Sequence, residues 1–200
     1  FSPTTEVNLC GHATLASGYV YFNFINKNMN KITFSSASGN LIVENKDNFL
    51  ELDFPKDNFN EVNYINEVED SIGIKPINTY LGEINLFAVM ESEEDIKNIN
   101  PDFDKLLQLE GQGLIVSSKS KDFDFVSRYF CPKYGINEDP VTGSAHTTLI
   151  PYWADKLNKT TLTAKQISNR GGILYCTNLV DRVLIGGKAV LYMKGEIDIS

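Results

Sequence analysis

The stretch Asn137-Glu138-Asp139-Pro140-Val141-Thr142-Gly143-Ser144-Ala145-His146 decides how the chain is read. An acidic pair, Glu138-Asp139, meets a proline turn, and Thr142-Gly143-Ser144 then opens an apolar run through Thr148-Leu149-Ile150 to Leu157. That pattern predicts a helix over 143–157. Pro151 lies inside it and removes a backbone donor, a loss that a hydroxyl of Thr147 or Thr148 is expected to offset in part. A fainter copy stands near the start of the chain: Glu6-Val7-Asn8-Leu9-Cys10-Gly11-His12-Ala13-Thr14-Leu15-Ala16. Both histidines of the chain, His12 and His146, fall inside these two stretches.

Working outward, the chain looks doubled. With Gly11 set on Gly143, Ala13 falls on Ala145, and each glycine leads into a long apolar helix candidate. The first, running to Phe24, is nearly apolar on every side and should be buried all round. Leu41-Ile42-Val43 then matches Ile173-Leu174-Tyr175 in type, and a further strand follows in both copies. Strands are expected at 31–34, 41–44, 49–54, 84–90, 113–118, 122–130, 161–164, 172–177, 182–185 and 189–193. Short helices are expected at 60–72, 93–98 and 101–109. The expected fold class is α+β, with two pseudo-symmetric halves. The first is residues 1–77, which also receives the C-terminal strand, and the second is residues 78–200. The second half carries much more chain ahead of its glycine, and no initiator Met is present, so a truncation of the N-terminal half by about 50 residues is expected.

Composition narrows the function classes. Hydrophobic residues make up 42% and charged residues 22% of the 200, which suits a soluble globular chain. The formal net charge is −8 with no Lys/Arg cluster, which argues against nucleic acid and anionic membranes as partners. No apolar run approaches the ~18 residues of a membrane span. Cys10, Cys131 and Cys176 are odd in number and widely spaced, so a reducing, cytoplasmic setting is expected. Metal-finger spacing, a P-loop lysine and a GxGxxG turn are all missing from the sequence; the expectation is no metal and no cofactor.

The chemistry follows from the two helix starts. Each leaves backbone N–H groups free and presents the positive end of a helix dipole, which suits a carboxylate or phosphate. His12 at one start and Asp139 beside the other form a candidate acid/base pair across a small bound acid, with the Gly11 and Gly143 backbones as donors. Ser144 can cap its helix and reach a substrate oxygen. Structural readings stand beside these: His12 bonded to backbone, Glu138-Asp139-Pro140 as a turn, Ser144 as a cap, His146 and Cys10 as packing, and Arg170 bracing a turn or binding an anion.

Together the two stretches resemble the PhzF-like, phenazine-biosynthesis family within the diaminopimelate-epimerase-like superfamily. Glu138 to Ala145 matches its pattern unaltered, and Glu6 to Thr14 matches with Asn8 in place of the usual Asp. Arg128-Tyr129-Phe130 with Pro132 and Gly135, Gln166 with Arg170-Gly171-Gly172, and Gly195 also fit. The resemblance covers the whole chain. It implies two halves, each a curved, barrel-like sheet around a central helix. It also implies a cofactor-independent isomerase that moves a proton on a small carboxylic acid, as a homodimer. His12 and Asp139 then take catalytic roles, and Gly11, Gly143 and Ser144 bind substrate. The family's general-base glutamate lies upstream of the Cys-Gly-His motif and has no counterpart here. Thr142 stands where two-thiol epimerases carry their second cysteine, which disfavours that reaction. The alternatives are a cysteine-assisted amino-acid epimerase and a non-catalytic acid-binding or interaction protein of the same fold.

Overall fold

The computed structural model describes residues 4, 10–36 and 39–198. The chain opens on α1 (Gly11–Val20), which runs into a π-helical turn, Tyr21–Ile25. Three strands follow: β1 (Lys31–Ser36), β2 (Gly39–Asn45) and β3 (Leu50–Pro55). Next come β4 (Asn60–Val62), α2 (Ile65–Ile72), β5 (Asn78–Leu81), β6 (Leu86–Val89), α3 (Glu93–Asn98) and α4 (Phe103–Leu106). β7 (Leu114–Lys119) and β8 (Phe125–Phe130) lead through a 3-10 turn, Pro132–Tyr134, to α5 (Gly143–Leu157). The last elements are β9 (Thr161–Gln166), β10 (Gly172–Asn178) and β11 (Arg182–Gly187).

The strands of the described residues join one 11-stranded sheet in the order β1-β2-β3-β11-β10-β9-β8-β7-β6-β5-β4, which is not closed on itself. β6–β7 and β8–β9 are parallel and the other pairs antiparallel. The doubling is visible in that order. α1 is followed by β1-β2-β3 and α5 by β9-β10-β11, and the two meanders meet where β3 pairs antiparallel with β11, from Arg182 against Pro55 to Gly187 against Leu50. A pseudo-twofold axis therefore passes between β3 and β11. β4 and α2 belong to the other end of the sheet, against β5 and α4.

Two apolar clusters explain which strands read as continuous runs. On β6, β7 and β8, Phe87, Ile115, Phe125 and Tyr129 face the cluster around α5, while Leu86, Ala88, Leu114, Val116, Val126 and Phe130 face α2–α4. Covered on both faces, these strands have no polar side to alternate with. β3 and β9 are covered on one face and alternate: Leu50, Leu52 and Phe54 are buried, as are Leu162, Ala164 and Gln166. Burial of this kind, at roughly 25 cal/mol per Å² of apolar surface, is the main favourable contribution to the fold.

α5 forms despite Pro151. The proline cannot donate to the Thr147 carbonyl, and that carbonyl instead accepts the Asp57 backbone N–H at 3.3 Å. The Asp57 carboxylate joins the same clamp, accepting from the Thr148 hydroxyl at 2.6 Å and the Glu83 N–H at 3.1 Å. The Thr147 hydroxyl is spent within its own turn, on the Ser144 carbonyl at 2.7 Å. Relief for the proline thus comes from the loop after β3 and not from a threonine hydroxyl.

Four sequence expectations need correction. Residues 60–62 pair with β5 as a strand, so the helix expected over 60–72 starts only at Ile65. The helix expected from Pro101 is the short α4, because the cap is Asp102, whose side chain accepts from the Asp104 and Lys105 N–H groups. Residues 189–193 form no strand; β11 is the last one, and Val190 and Tyr192 are 84% and 97% exposed. α1, expected to be buried all round, is covered on one face only, with Gly11 and Gly18 buried, and Phe24 and Ile25 of the adjoining turn are 52% and 69% exposed. Among the described residues no helix is long and apolar enough to cross a membrane.

The clamp on α5 is testable. Asp57→Ala strands the fully buried Thr148 hydroxyl without its acceptor, and we expect a loss of about 1–3 kcal/mol in urea unfolding. Thr148→Val in the same background should recover part of it.

Candidate active site

The two helix starts meet back to back. A Cβ on Gly11 would lie 3.2 Å from the Gly143 Cα and 3.2 Å from Phe54 Cε2; one on Gly143 would lie 3.2 Å from the Gly11 Cα. A Cβ at either position would be in tight contact with the opposing backbone, which would have to give by a few tenths of an ångström, on a floor formed by a buried β3 phenylalanine. Neither helix has a side-chain cap: Cys10 and Thr142, the N-cap residues, are extended and make no capping hydrogen bond. The first intrahelical bond of α1 is made by the Thr14 N–H to the Cys10 carbonyl at 3.1 Å. The Gly11 and His12 N–H groups, and their counterparts at Gly143 and Ser144, are left for an anion, while the Ala13 N–H favours the Cys10 thiolate.

His12 stands on α1, exposed on its outer side, with Nε2 3.6 Å from Cys10 Sγ. The contact raises the His12 pKa and lowers that of Cys10, so the pair leans toward imidazolium and thiolate. Burial opposes both shifts. Of the lesser influences on His12, the Asp139 carboxylate favours its cation and the Arg170 guanidinium opposes it, which brings residues of three separate segments into one electrostatic neighbourhood.

Asp139 is positioned by the chain around it. Its N–H donates to the Tyr129 carbonyl at 3.1 Å, and its carbonyl accepts from Gln166 Nε2 at 2.6 Å. Oδ2 accepts from the Thr142 hydroxyl at 2.6 Å. Its neighbour Glu138 is committed elsewhere: Arg128 holds it through Nε–Oε1 at 2.8 Å and Nη2–Oε2 at 2.9 Å, a bidentate pair. The acidic pair therefore divides into one structural and one available carboxylate. Ser144 is the second residue of α5 and not its cap. Arg170 is exposed in the loop after β9, which is tied to the Pro140 turn by Ser168 Oγ donating to the Pro140 carbonyl at 2.8 Å. It makes no hydrogen bond or ion pair with a described residue.

His146 lies beneath the site, fully buried, with Nδ1–H donating to the Thr142 carbonyl at 2.7 Å and Nε2 unpartnered among the described residues. Burial pushes its pKa down to about 4. Cys131 and Cys176 are buried thiols whose pKa values are pushed up by desolvation, that of Cys131 to about 12.

Of the residues singled out in the sequence, Gly11, His12, Asp139, Gly143 and Ser144 thus lie around one point, and Glu6 to Leu9 fall outside the described residues. Sequence reasoning missed what Gln166 does there. The available signal was a polar residue at the third inward position of β9, after Leu162 and Ala164.

An α+β chain with duplicated helix–meander units, whose helix starts meet on a glycine pair flanked by histidine and aspartate, is of the PhzF and epimerase-like class. The comparisons with known proteins are specific on this point. The family model for phenazine biosynthesis-like proteins, PhzC-PhzF, matches residues 1–195, and the chain belongs to that family. A Pseudomonas aeruginosa protein named as an uncharacterised isomerase is 46% identical over 200 residues, covering 100% of this chain and 77% of that one. A human phenazine biosynthesis-like domain-containing protein is 37% identical, covering 98% and 75%. The crystal structure of a PhzF-family protein from Enterococcus faecalis superposes with a TM-score of 0.94 at 46% identity, over 100% of this chain and 76% of that one. A probable proline racemase from Agrobacterium radiobacter shares the fold alone, with a TM-score of 0.60 at 10% identity over 99% and 70%.

Two predictions follow from the titrating groups. Under limiting iodoacetamide at neutral pH, Cys10 should be alkylated first, with Cys131 and Cys176 protected until unfolding; peptide mass mapping reads the order. For His146, the unfolded chain takes up a proton below its ordinary pKa of 6.5 while the folded state resists until about 4, so stability falls as pH falls through that window. Between pH 7 and 4.5 the wild type should lose about 2–3 kcal/mol more than His146→Gln, measured by urea unfolding at each pH.

Proposed function

We propose that this protein is a cofactor-independent isomerase that moves a proton between two carbons of a small carboxylic acid, by general acid/base catalysis between its halves. The observation that carries the reading is the pair of uncapped helix starts meeting at Gly11 and Gly143, with His12 on one side and Asp139 on the other. Free N–H groups at Gly11, Gly143 and Ser144 receive the carboxylate and the enolate-like charge. Asp139 and His12, the latter held toward its cation, form an acid/base pair that serves the proton transfer, alongside the general-base glutamate that the family resemblance places upstream of the Cys-Gly-His motif. Arg170 at the rim adds a cation for an anionic substrate, in a chain whose overall charge is negative. A homodimeric assembly and a cytoplasmic setting belong to the same reading and rest on the family resemblance.

An epimerase working through two thiols is less well supported. Cys10 is present, but the hydroxyl of Thr142 donates to Asp139 and is not free to act as the opposed base. A binding protein without catalysis is the other reading.

Deuterium incorporation separates them. A panel of small unsaturated carboxylic acids and amino acids, incubated with the protein in D2O, should show loss of a carbon-bound proton signal by NMR for at least one member. His12→Gln and Asp139→Asn should each slow that exchange by about 10²-fold or more. Saturable binding with no incorporation across the panel would transfer the reading to acid binding, and loss of exchange in Cys10→Ser with His12→Gln still active would transfer it to thiol epimerisation.

A further inference from the structure

Three polar side chains lie side by side on the face of the sheet that α5 covers. Gln166 on β9, Ser127 on β8 and Ser117 on β7 are register partners across the strands, and all three are buried. The outer two meet α5 directly. Gln166 Oε1 accepts the Thr142 backbone N–H at 2.8 Å, and Ser117 Oγ accepts from Trp153 Nε1 at 2.9 Å. His146 stands between Thr142 and Trp153 on the helix, as Ser127 stands between Gln166 and Ser117 on the sheet. The His146 ring lies 5.9 Å from that of Phe125, and strand alternation puts Ser127 on the same face of β8 as Phe125. His146 and Ser127 are 0% and 2% exposed, yet neither His146 Nε2 nor Ser127 Oγ has a hydrogen-bond partner among the described residues. A buried polar atom of this kind calls for a partner.

The tautomer of His146 defines that partner. Nδ1 lies 2.7 Å from the Thr142 carbonyl, which can only accept, so Nδ1 carries the hydrogen. Burial keeps the ring neutral at neutral pH, and Nε2 is then a lone pair that needs a donor. Ser127 Oγ has a hydrogen to give but makes no hydrogen bond to it. Neither atom bears a charge, so the pair suits a small neutral molecule that both donates and accepts, and not an ion. We propose that one buried water molecule joins His146 Nε2 to Ser127 Oγ and closes the middle of the three contacts between α5 and the sheet. One water hydrogen goes to Nε2, and the water oxygen accepts from Oγ. The water anchors the far side of the imidazole, and with it the hydrogen bond from Nδ1 to the Thr142 carbonyl. Thr142 immediately precedes the start of α5 at Gly143. The entry to the helix is thus held on its carbonyl side by this chain and on its N–H side by Gln166. The water serves in this way whichever group takes the substrate proton.

A high-resolution crystal structure of the wild-type protein should show one ordered water at roughly 2.7–3.2 Å from both atoms. A direct hydrogen bond between His146 and Ser127, or no density between them, overturns the proposal. Urea unfolding at neutral pH tests it in solution by the sign of one effect. Were Ser127 Oγ unpaired, Ser127→Ala would remove a stranded polar group and leave stability unchanged or raised. With the water in place, Ser127→Ala should raise the unfolding equilibrium constant about three- to tenfold. In a His146→Leu background the same substitution should be neutral or stabilising, because the water has already lost its other partner. Equal losses in the two backgrounds overturn the bridge, and so does the absence of any loss in the wild-type background. If His146→Leu does not fold, the histidine is read by 15N NMR in its place. Ser127→Ala should then speed solvent exchange of the His146 Nδ1 proton by about tenfold or more, and an unchanged rate overturns the anchoring role. None of these readings uses a substrate, so their failure is distinct from a failure to detect deuterium incorporation.

Discussion

Everything in this structure is arranged around the approach of Gly11 to Gly143. Two helix starts come this close most readily where neither carries a side chain, because a Cβ on either would crowd the other's Cα at 3.2 Å and force it to give. Phe54 beneath them fixes the depth of the contact, and the β3–β11 pairing, which carries Phe54 opposite Val183, fixes its lateral position. The pseudo-twofold axis that relates the two meanders therefore runs through the place where the two dipole ends converge. A site built there receives donors from both repeats at once, although each repeat contributes only the opening turn of one helix.

That convergence is not free of cost to stability. A capped helix start is worth about 1 kcal/mol over an uncapped one, and here both N-caps go unused. Thr142 is of the right type to cap α5, but its hydroxyl is turned to Asp139. Cys10 occupies the equivalent position on α1 and has turned its sulfur toward His12. In both repeats the residue that would satisfy the helix serves a neighbouring ionisable group instead. Departures from local optimality confined to one point of a fold are a signature of a functional site.

Much of this was legible in the residues. The glycine–helix–strand repeat could be aligned by eye, and the two-sided burial of β6 to β8 showed as apolar runs. What escaped was whatever depends on partners distant in sequence. Residues 60–62 have the spacing of a helix, and only pairing with β5 makes them a strand. Residues 189–193 have the pattern of a strand, but they pair with no strand of the described chain. At the site, Glu138 and Asp139 are chemically alike in the sequence; their separation depends on Arg128, which lies on β8 and, of the two carboxylates, pairs with Glu138. Local pattern names the element, and the pairing of distant strands then decides which of two similar side chains is left to do chemistry.

The same point governs Gln166. In β9 the inward positions are Leu162, Ala164 and Gln166, and a buried amide at the third of these would be a liability if unpaired. It is paired three ways, each time with the 139–142 turn. A leucine there would pack but would leave the Thr142 N–H and the Asp139 carbonyl without partners, at about 1–3 kcal/mol for each. Gln166 therefore stabilises the turn, and the orientation of the Thr142 hydroxyl comes with it. Structural necessity and site geometry are carried by one side chain, so a substitution that tolerates the fold while altering the hydrogen-bond direction is what separates them.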